Sequence, residues 1–370
     1  MGDFYGPDNG GGYGQKIVTA LGNVFISFFV PVAAFGVLWA GFVFLRSGRA
    51  SQLVTTLVAI IWGVGGIAAL YYISNFIIQR LALKWRKRFT PFLFVGPALI
   101  ILGYYLLVPA LRSFYMSFFG RVSKEFVGLS NYAYIFTDRT MRIALVNNLL
   151  WMVFGTSLSI VFGLLIALLA ERSKFEKLAK TLIFLPMAIS FVGAGVIWKF
   201  IYAFKPSGEA QTGLLNAVVT FFGGQPVNWI VLRPWNTLFL IIIFVWLQTG
   251  YSMVILSASI KSVPETLKEA ARIDGAGELR IIFQIIIPAI KGSIITVGTT
   301  VLILTLKVFD IVYAMTNGLF GTEVLASQQY KQMFKFLNYG RGSSIAIVIL
   351  IAVIPVMWYN LNQFGKREVF

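Results

Sequence analysis

The sequence contains no cysteine and no histidine, and it has few charged residues. Without cysteine the chain can form no disulfides or thiolate metal sites, and without histidine it lacks the commonest zinc ligand and general base. Charged residues make up 12% of the 370 residues and hydrophobic residues 58%, whereas a soluble domain carries about 25% charged residues. This balance excludes a soluble, disordered or disulfide-rich chain and predicts an all-α, multi-pass membrane protein.

The usual catalytic motifs are also missing. There is no GxxxxGK[ST] phosphate loop, no HExxH and no GxSxG, and a Ser–His dyad needs a histidine that the chain lacks. Asp310 is the only acidic residue well inside a predicted span, so a catalytic carboxylate pair within the membrane is excluded as well. These absences argue against a membrane enzyme and predict no ATP hydrolysis, no cofactor and no metal site on this chain.

Long apolar runs are abundant. A membrane-spanning helix needs about 20 mostly apolar residues, and eight segments meet this requirement. They are residues 24–45, 53–79, 91–119, 147–170, 181–204, 237–260, 294–316 and 343–364. Residues 1–23 begin with a Gly-rich stretch, which predicts a flexible tail. No basic region precedes the first span, so we expect a retained helix rather than a cleaved signal peptide.

The distribution of basic residues predicts the orientation. The formal net charge is +17, but no basic run alternates with aromatics in a polar context, so we expect no nucleic-acid partner. Residues 80–90 carry several basic side chains and no acidic one, which is typical of a cytoplasmic loop and places both termini in the cytoplasm. The basic residues of the loop 46–52 favour the opposite orientation. We follow the 80–90 loop, because it carries more basic residues. The longer loops 120–146, 205–236 and 317–342 are then extracytoplasmic.

One polar stretch, residues 261–291, differs from the other loops. Ser262 followed by Glu265 three residues later predicts a capping box at the start of a short helix. Gly275 is placed to end that helix in the left-handed conformation, and a second helix is expected from about Gly277. A helix of about twelve residues is marginal alone. It is therefore either a solvated surface helix or one that fits a cleft on a cytoplasmic partner.

The spacing of this stretch resembles a known motif. Glu-Ala-Ala at 269–271 is followed after three residues by Gly275 and after nine more by Ile-x-Ile-Pro at 285–288. This resembles the EAA loop of ATP-binding-cassette importer permeases, EAA-x3-G-x9-I-x-L-P, and departs from it only at Ile287. The resemblance assigns contact with an ATPase to the following residues: Glu269, Ala270, Ala271, Asp274, Gly275 and Pro288.

The resemblance extends over about 91–370 and implies the fold and the partners. The chain is similar to maltose-permease-like subunits, especially alpha-glucoside permeases. This implies a type I importer fold with a six-helix core in 80–370, a coupling loop at 261–291 and two extra N-terminal helices at 24–79. It also implies a second permease, two ATPase subunits that bind ATP and Mg²⁺, an extracytoplasmic sugar-binding protein, and the bacterial inner membrane. A secondary transporter or channel is the alternative, although such proteins typically show inverted repeats or several coupling carboxylates.

A sugar site is expected on the sixth and seventh spans. Four positions of the sixth span lie at helical spacing on one face, and the positions matching them line the sugar site in the resembled permease. The seventh span contributes three further positions. The full set is Phe244, Leu247, Gln248, Tyr251, Leu304, Thr305 and Val308. An aromatic stripe of this kind also serves ordinary helix packing, so both interpretations stay open. The sequence does not identify the sugar.

Two charged residues, Lys307 and Asp310, lie three positions apart in the seventh span. A charge at the bilayer centre costs about 2.5–3.5 kcal/mol when it faces lipid. Side chains at this spacing can pair on one helix face. Either the two charges neutralise each other inside the bundle, or one of them binds a sugar hydroxyl or gates the path.

Overall fold

The computed structural model describes residues 13–48, 50–79, 83–171 and 173–365. Within these residues the chain is helical, and its one extended pairing is an isolated antiparallel bridge between Phe119 and Phe126. The first helix begins at Tyr13, inside the predicted tail, whose first twelve residues lie outside the described part of the chain. The all-α prediction is confirmed for the residues described.

The helices are numbered here in chain order. They are α1 Tyr13–Ser47, α2 Gln52–Gln79, α3 Leu83–Met116, α4 Ser130–Thr137, α5 Arg139–Glu171, α6 Glu176–Ala188, α7 Phe191–Ile201, α8 Leu214–Phe221, α9 Asn236–Lys261, α10 Glu265–Ile273, α11 Glu278–Ala289, α12 Lys291–Leu306, α13 Asp310–Met315, α14 Leu325–Tyr330 and α15 Tyr339–Gly365. Single π-helical turns lie within α3, α5 and α11, and another, Lys331–Lys335, follows α14.

Five of the described helices are long and apolar enough to cross a membrane, and two bent pairs bring the number to seven. The five are α2, α3, α5, α9 and most of α15. Large apolar side chains on them face outward: Ile100 is 73% exposed and Trp358 67%. A soluble protein rarely exposes apolar patches of this extent, so these surfaces are suited to lipid. The protein is a multi-pass membrane protein.

Two predicted spans are broken. The predicted span 181–204 is divided into α6 and α7, which meet at 104°. A 70° bend between α11 and α12 lies just before the predicted span 294–316. The predicted span 294–316 is interrupted too, because α12 ends at Leu306 and α13 begins at Asp310. The helix predicted from residue 91 begins at Leu83, so most of the basic 80–90 segment is helical rather than a loop.

The chain divides into two compact units, Met1–Pro109 and Ala110–Phe370. In the first unit, α2 packs against α1 and against the start of α3. The Trp62 Nε1–H donates a hydrogen bond of 2.9 Å to the Leu38 carbonyl, and the Tyr71 ring stacks on Phe94. None of the residues of α2 or of Leu83–Leu102 is buried. Among the residues of this unit whose burial is described, there are contacts between helices but no buried core.

The second unit is built around α9, which crosses α5 at very short distance. A stripe of small residues on α5 is buried there, namely Ser159, Gly163, Ala167 and Ala170. A Cβ at Gly163 would lie 2.4 Å from the Ser252 Cβ, so only glycine fits. Small residues that allow close backbone approach are the usual means of packing membrane helices. The main core surrounds this crossing, with Trp151, Phe244 and Met253 almost wholly buried.

Candidate transport site and coupling surface

The polar loop after α9 contains the short helix α10, which begins differently from the prediction. The Ser262 hydroxyl donates to the Ser259 carbonyl at 2.7 Å, and Pro264 occupies the N-cap position without a side-chain cap. The predicted capping box is therefore wrong. Ser262 has φ −77° and ψ −12°, because it still closes the last turn of α9, whereas a capping residue needs an extended backbone.

The predicted end of α10 is confirmed. Gly275 has φ +80°, a conformation that costs glycine nothing. The Ala276 N–H donates to the Ala271 carbonyl at 2.9 Å and the Gly275 N–H to the Arg272 carbonyl at 3.0 Å. This pair of bonds is the Schellman arrangement that satisfies the last carbonyls of a helix. The chain then turns sharply into α11, with Gly277 at its N-cap.

Several charged side chains of α10 form ion pairs with one another or with the start of α11. Glu265 bonds Lys268 at 2.8 Å and Arg272 at 3.3 Å, and Arg272 also reaches Glu278 at 3.2 Å. The hydrogen bond from Lys268, aided by the Arg272 charge, lowers the pKa of the Glu265 carboxyl. Glu269 and Asp274 form no ion pair within the described residues. Their carboxylates are available to a partner.

The surface around these carboxylates is apolar as well as charged. None of the residues of α10 is buried; Ala270 is exposed and Ala271 half-buried against the core. Ile273 is 86% exposed, and Leu279 and Phe283 on α11 are also exposed. Pro288 is exposed next to the bend that separates α11 from α12. A solvated surface helix has little use for such side chains, and they are suited to burial by another protein.

A cleft of about 340 Å³ lies beside the middle of α9. Four of the predicted sugar-site residues line it, namely Leu247, Gln248, Tyr251 and Leu304. The remaining wall comes from Thr300 on α12 and from the break between α6 and α7. Within the described residues no protein group hydrogen-bonds the Gln248 amide or the Tyr251 hydroxyl. Two polar groups without partners therefore face a cavity whose other walls are largely apolar.

A smaller cavity of about 180 Å³ adjoins this cleft and shares Phe191 and Leu304 with it. Phe244 and Val308 line it, so two more predicted residues reach a cavity wall. The Phe191 and Phe244 rings are nearly parallel with centroids 6.1 Å apart, and Trp151 meets Phe244 edge-on. Phe244 is thus part of the core and of the cavity wall at once. Helix packing and a place at the cavity, the two interpretations of the aromatic stripe, are therefore compatible at this residue.

Thr305 lies apart from both cavities. Its side chain is fully buried, and its hydroxyl donates to the Leu302 carbonyl at 2.8 Å. Its methyl group faces Gly155 in the π turn of α5, where a Cβ would lie 2.9 Å away. Thr305 lines neither cleft nor cavity, because its face of α12 packs on α5.

Lys307 and Asp310 both line the smaller cavity. They are not on one helix face, because α12 ends between Leu306 and Lys307 and the backbone stays irregular to Phe309, at φ −138°. Within the described residues neither forms an ion pair. The expected mutual pairing is therefore absent. Irregular backbone at membrane depth is tolerated where it lines a cavity.

Sequence reasoning missed the residues of the α6–α7 break. Met187, Ile189, Ser190 and Phe191 line the cleft, and the Ser190 side chain caps α7 by accepting a bond from the Gly193 N–H at 3.1 Å. The signal was present in Pro186 and in the N-cap residue Ser190, which together predict a helix end and a helix start. A continuous apolar run concealed the break.

The described chain is a helical membrane protein with a largely apolar cleft, which Gln248 and Tyr251 face, and with an exposed short helix after α9. The family of binding-protein-dependent transport system inner membrane components matches residues 159–363, and the chain belongs to this family. It is 52% identical over 276 residues to the osmoprotective compounds uptake permease protein GgtC of Synechocystis, covering 75% of this chain and 99% of GgtC. It is 45% identical over 331 residues to the alpha-glucoside transport system permease protein AglF of Rhizobium meliloti, covering 86% and 98%.

Solved structures support the fold. A bacterial ABC transporter involved in the import of alginate contains a chain that matches with a TM-score of 0.63 at 20% identity, over 77% of this chain and 99% of that one. A second structure of the alginate transporter, in complex with a periplasmic protein that carries an alginate pentasaccharide, matches with a TM-score of 0.64. The protein has the type I importer permease fold. Members of this family are transport components rather than enzymes.

Proposed function

We propose that this chain is one of two permease subunits in an ATP-driven importer for an alpha-glucoside or a similar oligosaccharide. In this proposal eight spans, two of them N-terminal additions to a six-helix core, cross the bacterial inner membrane with both termini in the cytoplasm. Two ATPase subunits bind ATP and Mg²⁺, and an extracytoplasmic protein delivers the sugar. This chain supplies the path and holds no cofactor.

The observation that carries the proposal is that one helix, α9, connects the cleft with the exposed residues of α10 and the start of α11, called here the coupling surface. Gln248 and Tyr251 lie near the middle of α9, and α10 begins four residues after its last residue, Lys261. Thirteen residues of helix from Gln248 to Lys261 span about 20 Å. α9 is also packed closely against α5 at Gly163. A displacement of α10 is therefore transmitted to the cleft by a rigid element.

The cleft chemistry favours a neutral, hydroxylated substrate. Ligand sites are largely apolar with a few placed polar groups. Here the amide of Gln248 can both donate and accept, as can the Tyr251 hydroxyl. Sugars present the same alternation of donors and acceptors around an apolar ring face. The relatives named for alpha-glucosides and osmoprotective compounds are consistent with this class.

The coupling surface explains how the subunit receives energy from its partners. The free carboxylate of Glu269 can accept a charge-assisted hydrogen bond from a basic group on an ATPase. Ala270 has no long side chain to keep another backbone away, and the exposed Ile273 supplies apolar area. Closing of the ATPase dimer would then move α10 and switch the access of the cleft.

The test is to purify the chain from detergent with its bound partners and to measure ATPase activity with the co-encoded binding protein and a panel of glucosides. We expect an ATPase to co-purify and one loaded binding protein to stimulate it. Glu269→Lys and Gly275→Pro should each abolish uptake while leaving the protein in the membrane. Glu209→Lys, an exposed acidic residue in the 205–236 loop, is the matched control. A chain that purifies without any ATPase would refute the proposal and favour a secondary transporter or channel.

The cleft is tested separately. Tyr251→Phe removes one hydroxyl, and Gln248→Leu removes the amide at similar volume. Each should lower sugar-stimulated ATPase activity about tenfold, the size of one lost hydrogen bond to a buried polar group. Val254→Ala, at an exposed position of the same helix, serves as the control. Unchanged stimulation in both cleft variants would remove these residues from the transport site.

A further inference from the structure

Another cleft, of about 370 Å³ and with mainly polar walls, lies away from the coupling surface. Its walls are Arg121, Gln332, Phe336, Asn338 and Arg341, which belong to the loop after α3, the turn after α14 and the start of α15. These five residues define the arginine cleft.

The arginine cleft lies at the end of the bundle opposite to α10. α9 runs from Asn236 to Lys261, and α10 follows its C-terminal end. At its N-terminal end, the Asn236 amide donates to the Phe320 carbonyl at 2.9 Å, which places the loop before α14 on that side. The Tyr339 N–H in turn donates to the Arg121 carbonyl at 2.9 Å. With α10 in the cytoplasm, the arginine cleft opens on the extracytoplasmic face.

Both guanidinium groups are held in place by neutral partners. Arg121 donates from Nε and Nη2 to the Phe336 carbonyl, at 3.1 and 2.8 Å. The Arg341 guanidinium carbon lies 3.9 Å from the centroid of the Tyr134 ring, a cation–π contact. Tyr134 is fixed in turn by the Gln332 amide, which donates to its hydroxyl at 3.2 Å. These contacts orient the two cations without cancelling their charge.

Within the described residues neither Arg121 nor Arg341 forms an ion pair. Three acidic residues lie in the same part of the fold. Glu323 is already paired with Lys331, and neither Glu125 nor Asp138 forms an ion pair with either arginine. Two cations in one cleft repel each other until an anion lies between them. An arginine fork matches a carboxylate with two parallel hydrogen bonds.

We propose that the arginine cleft receives an acidic side chain, Asp or Glu, from the surface of the extracytoplasmic binding protein. The inference rests on the proposed function. A protein carboxylate is favoured over the phosphate of an anionic lipid because acyl chains require an adjoining apolar groove, and Phe336 is the one apolar residue of the five that line the cleft. The contact orients the binding protein over the opening of the transport path.

The test uses the assembled transporter in nanodiscs of phosphatidylcholine and the binding protein that stimulates the wild type. Arg121→Gln and Arg341→Gln each should raise the dissociation constant of the binding protein about tenfold. The double variant should also flatten the dependence of that constant on salt between about 50 and 300 mM. Basal ATPase activity, measured without binding protein, should stay at the wild-type level and thereby show that assembly is intact.

The control and the contrary outcomes separate this inference from the proposed function. Arg142→Gln removes the same charge from an exposed position on α5 that does not line the cleft, and it should leave the dissociation constant within about twofold. Equal constants in Arg142→Gln and in both cleft variants would overturn the inference while the proposed function stands. Anionic lipid that co-purifies in detergent with the wild type but not with the cleft variants, together with unchanged affinity for the binding protein, would overturn it in favour of a lipid site. A wild type that no binding protein stimulates would refute the proposed function itself.

Discussion

Helices α2 and α9 have almost the same length and hydropathy but opposite surroundings. α2 has 28 residues and α9 has 26, and both meet the composition of a membrane span. None of the residues of α2 is buried within the chain, whereas α9 buries residues along its whole length, including Asn236, Gln248 and Ser257. The buried amides and hydroxyls of α9 are tolerated because protein surrounds that helix, whereas lipid offers such groups no hydrogen bonds.

The largest expected effect concerns two glycines, because Gly163 on α5 is closely packed against α9 whereas Gly63 on α2 has open space beside it. Gly163→Leu places a branched side chain where the Ser252 Cβ would lie 2.4 Å from a Cβ, so α5 and α9 must separate. Overpacking typically costs about 1–3 kcal/mol and occasionally more, and we expect the upper end here with loss of the assembled protein. Gly63→Leu on α2, where nothing lies within 4 Å, should be tolerated. Size-exclusion profiles of both variants in detergent test this, and equal profiles would contradict the packing described.

The second contrast is between buried and exposed aliphatic side chains. Met253 on α9 has no exposed surface, and Ile61 on α2 is 71% exposed. Met253→Ala should cost about 2 kcal/mol, the low end of the range for soluble cores, because lipid replaces water in the unfolded reference state. Ile61→Ala should leave the unfolding temperature unchanged. Thermal unfolding followed by intrinsic tryptophan fluorescence measures both, and a larger shift for Ile61→Ala would reverse our assignment of core and lipid face.

A third contrast concerns side-chain hydrogen bonds to backbone carbonyls, which Asn147 makes in the second unit and Trp62 in the first. The Asn147 amide donates to the Gly321 and Glu323 carbonyls at 2.8 and 2.7 Å and accepts from the Thr237 hydroxyl at 3.2 Å. Asn147→Ala leaves these buried groups unsatisfied and should cost about 1–3 kcal/mol. Hydrogen exchange should also increase at residues 319–325. Unchanged exchange in this segment would show that Asn147 does not fix it.

In the first unit a comparable contact should matter less. Trp62→Phe removes the 2.9 Å bond to the Leu38 carbonyl and keeps most of the ring against Gly41. Hydrogen bonds between membrane helices average about 0.6 kcal/mol, so the unfolding temperature should fall only slightly. A decrease as large as that of Asn147→Ala would mean that the two units are equally dependent on their polar contacts.

The smallest effect is expected from pH at the coupling helix. Because its basic neighbours lower the pKa of the Glu265 carboxyl, its ion pairs are formed above the ordinary carboxyl pKa and are lost as the pH falls through the lowered value. Surface pairs of this kind contribute little to stability, because water and salt screen them. Stability measured from pH 7 to pH 3 should fall slightly less in Glu265→Gln than in the wild type. An identical pH profile would show that these pairs do not stabilise α10.

The helix end at Gly275, within residues 261–291, could be predicted from the sequence because its signals are local. Gly275 needs no distant partner to adopt a positive φ, and the spacing from Glu269 to Pro288 is readable directly. The predicted capping box at Ser262 is wrong because α9 continues through Lys261. Ser262 therefore closes the last turn of α9 and does not begin α10. The length of the preceding helix, and not the local capping signal, decided where α10 begins.

The cleft was predicted less completely because its walls come from separate segments. The periodicity of α9 brings Leu247, Gln248 and Tyr251 to one face, and the structure places all three at the cleft. Thr305, another predicted site residue, does not line the cleft, because close packing against Gly155 turns its side chain away. Ser190 and Phe191 were missed because a run of apolar residues does not show a 104° bend.

The sequence by itself determined that this chain spans a membrane, that it lacks cysteine, histidine and the usual catalytic motifs, and that residues 261–291 contain two short helices. These follow from composition and from short-range backbone chemistry. Only the tertiary structure decided which apolar helices are buried, where spans break to make the cleft, and that Arg121 and Arg341, 220 positions apart in the sequence, share one cavity. The physical reason is that burial and cavity formation depend on contacts between distant segments, which hydropathy measured along the chain does not record.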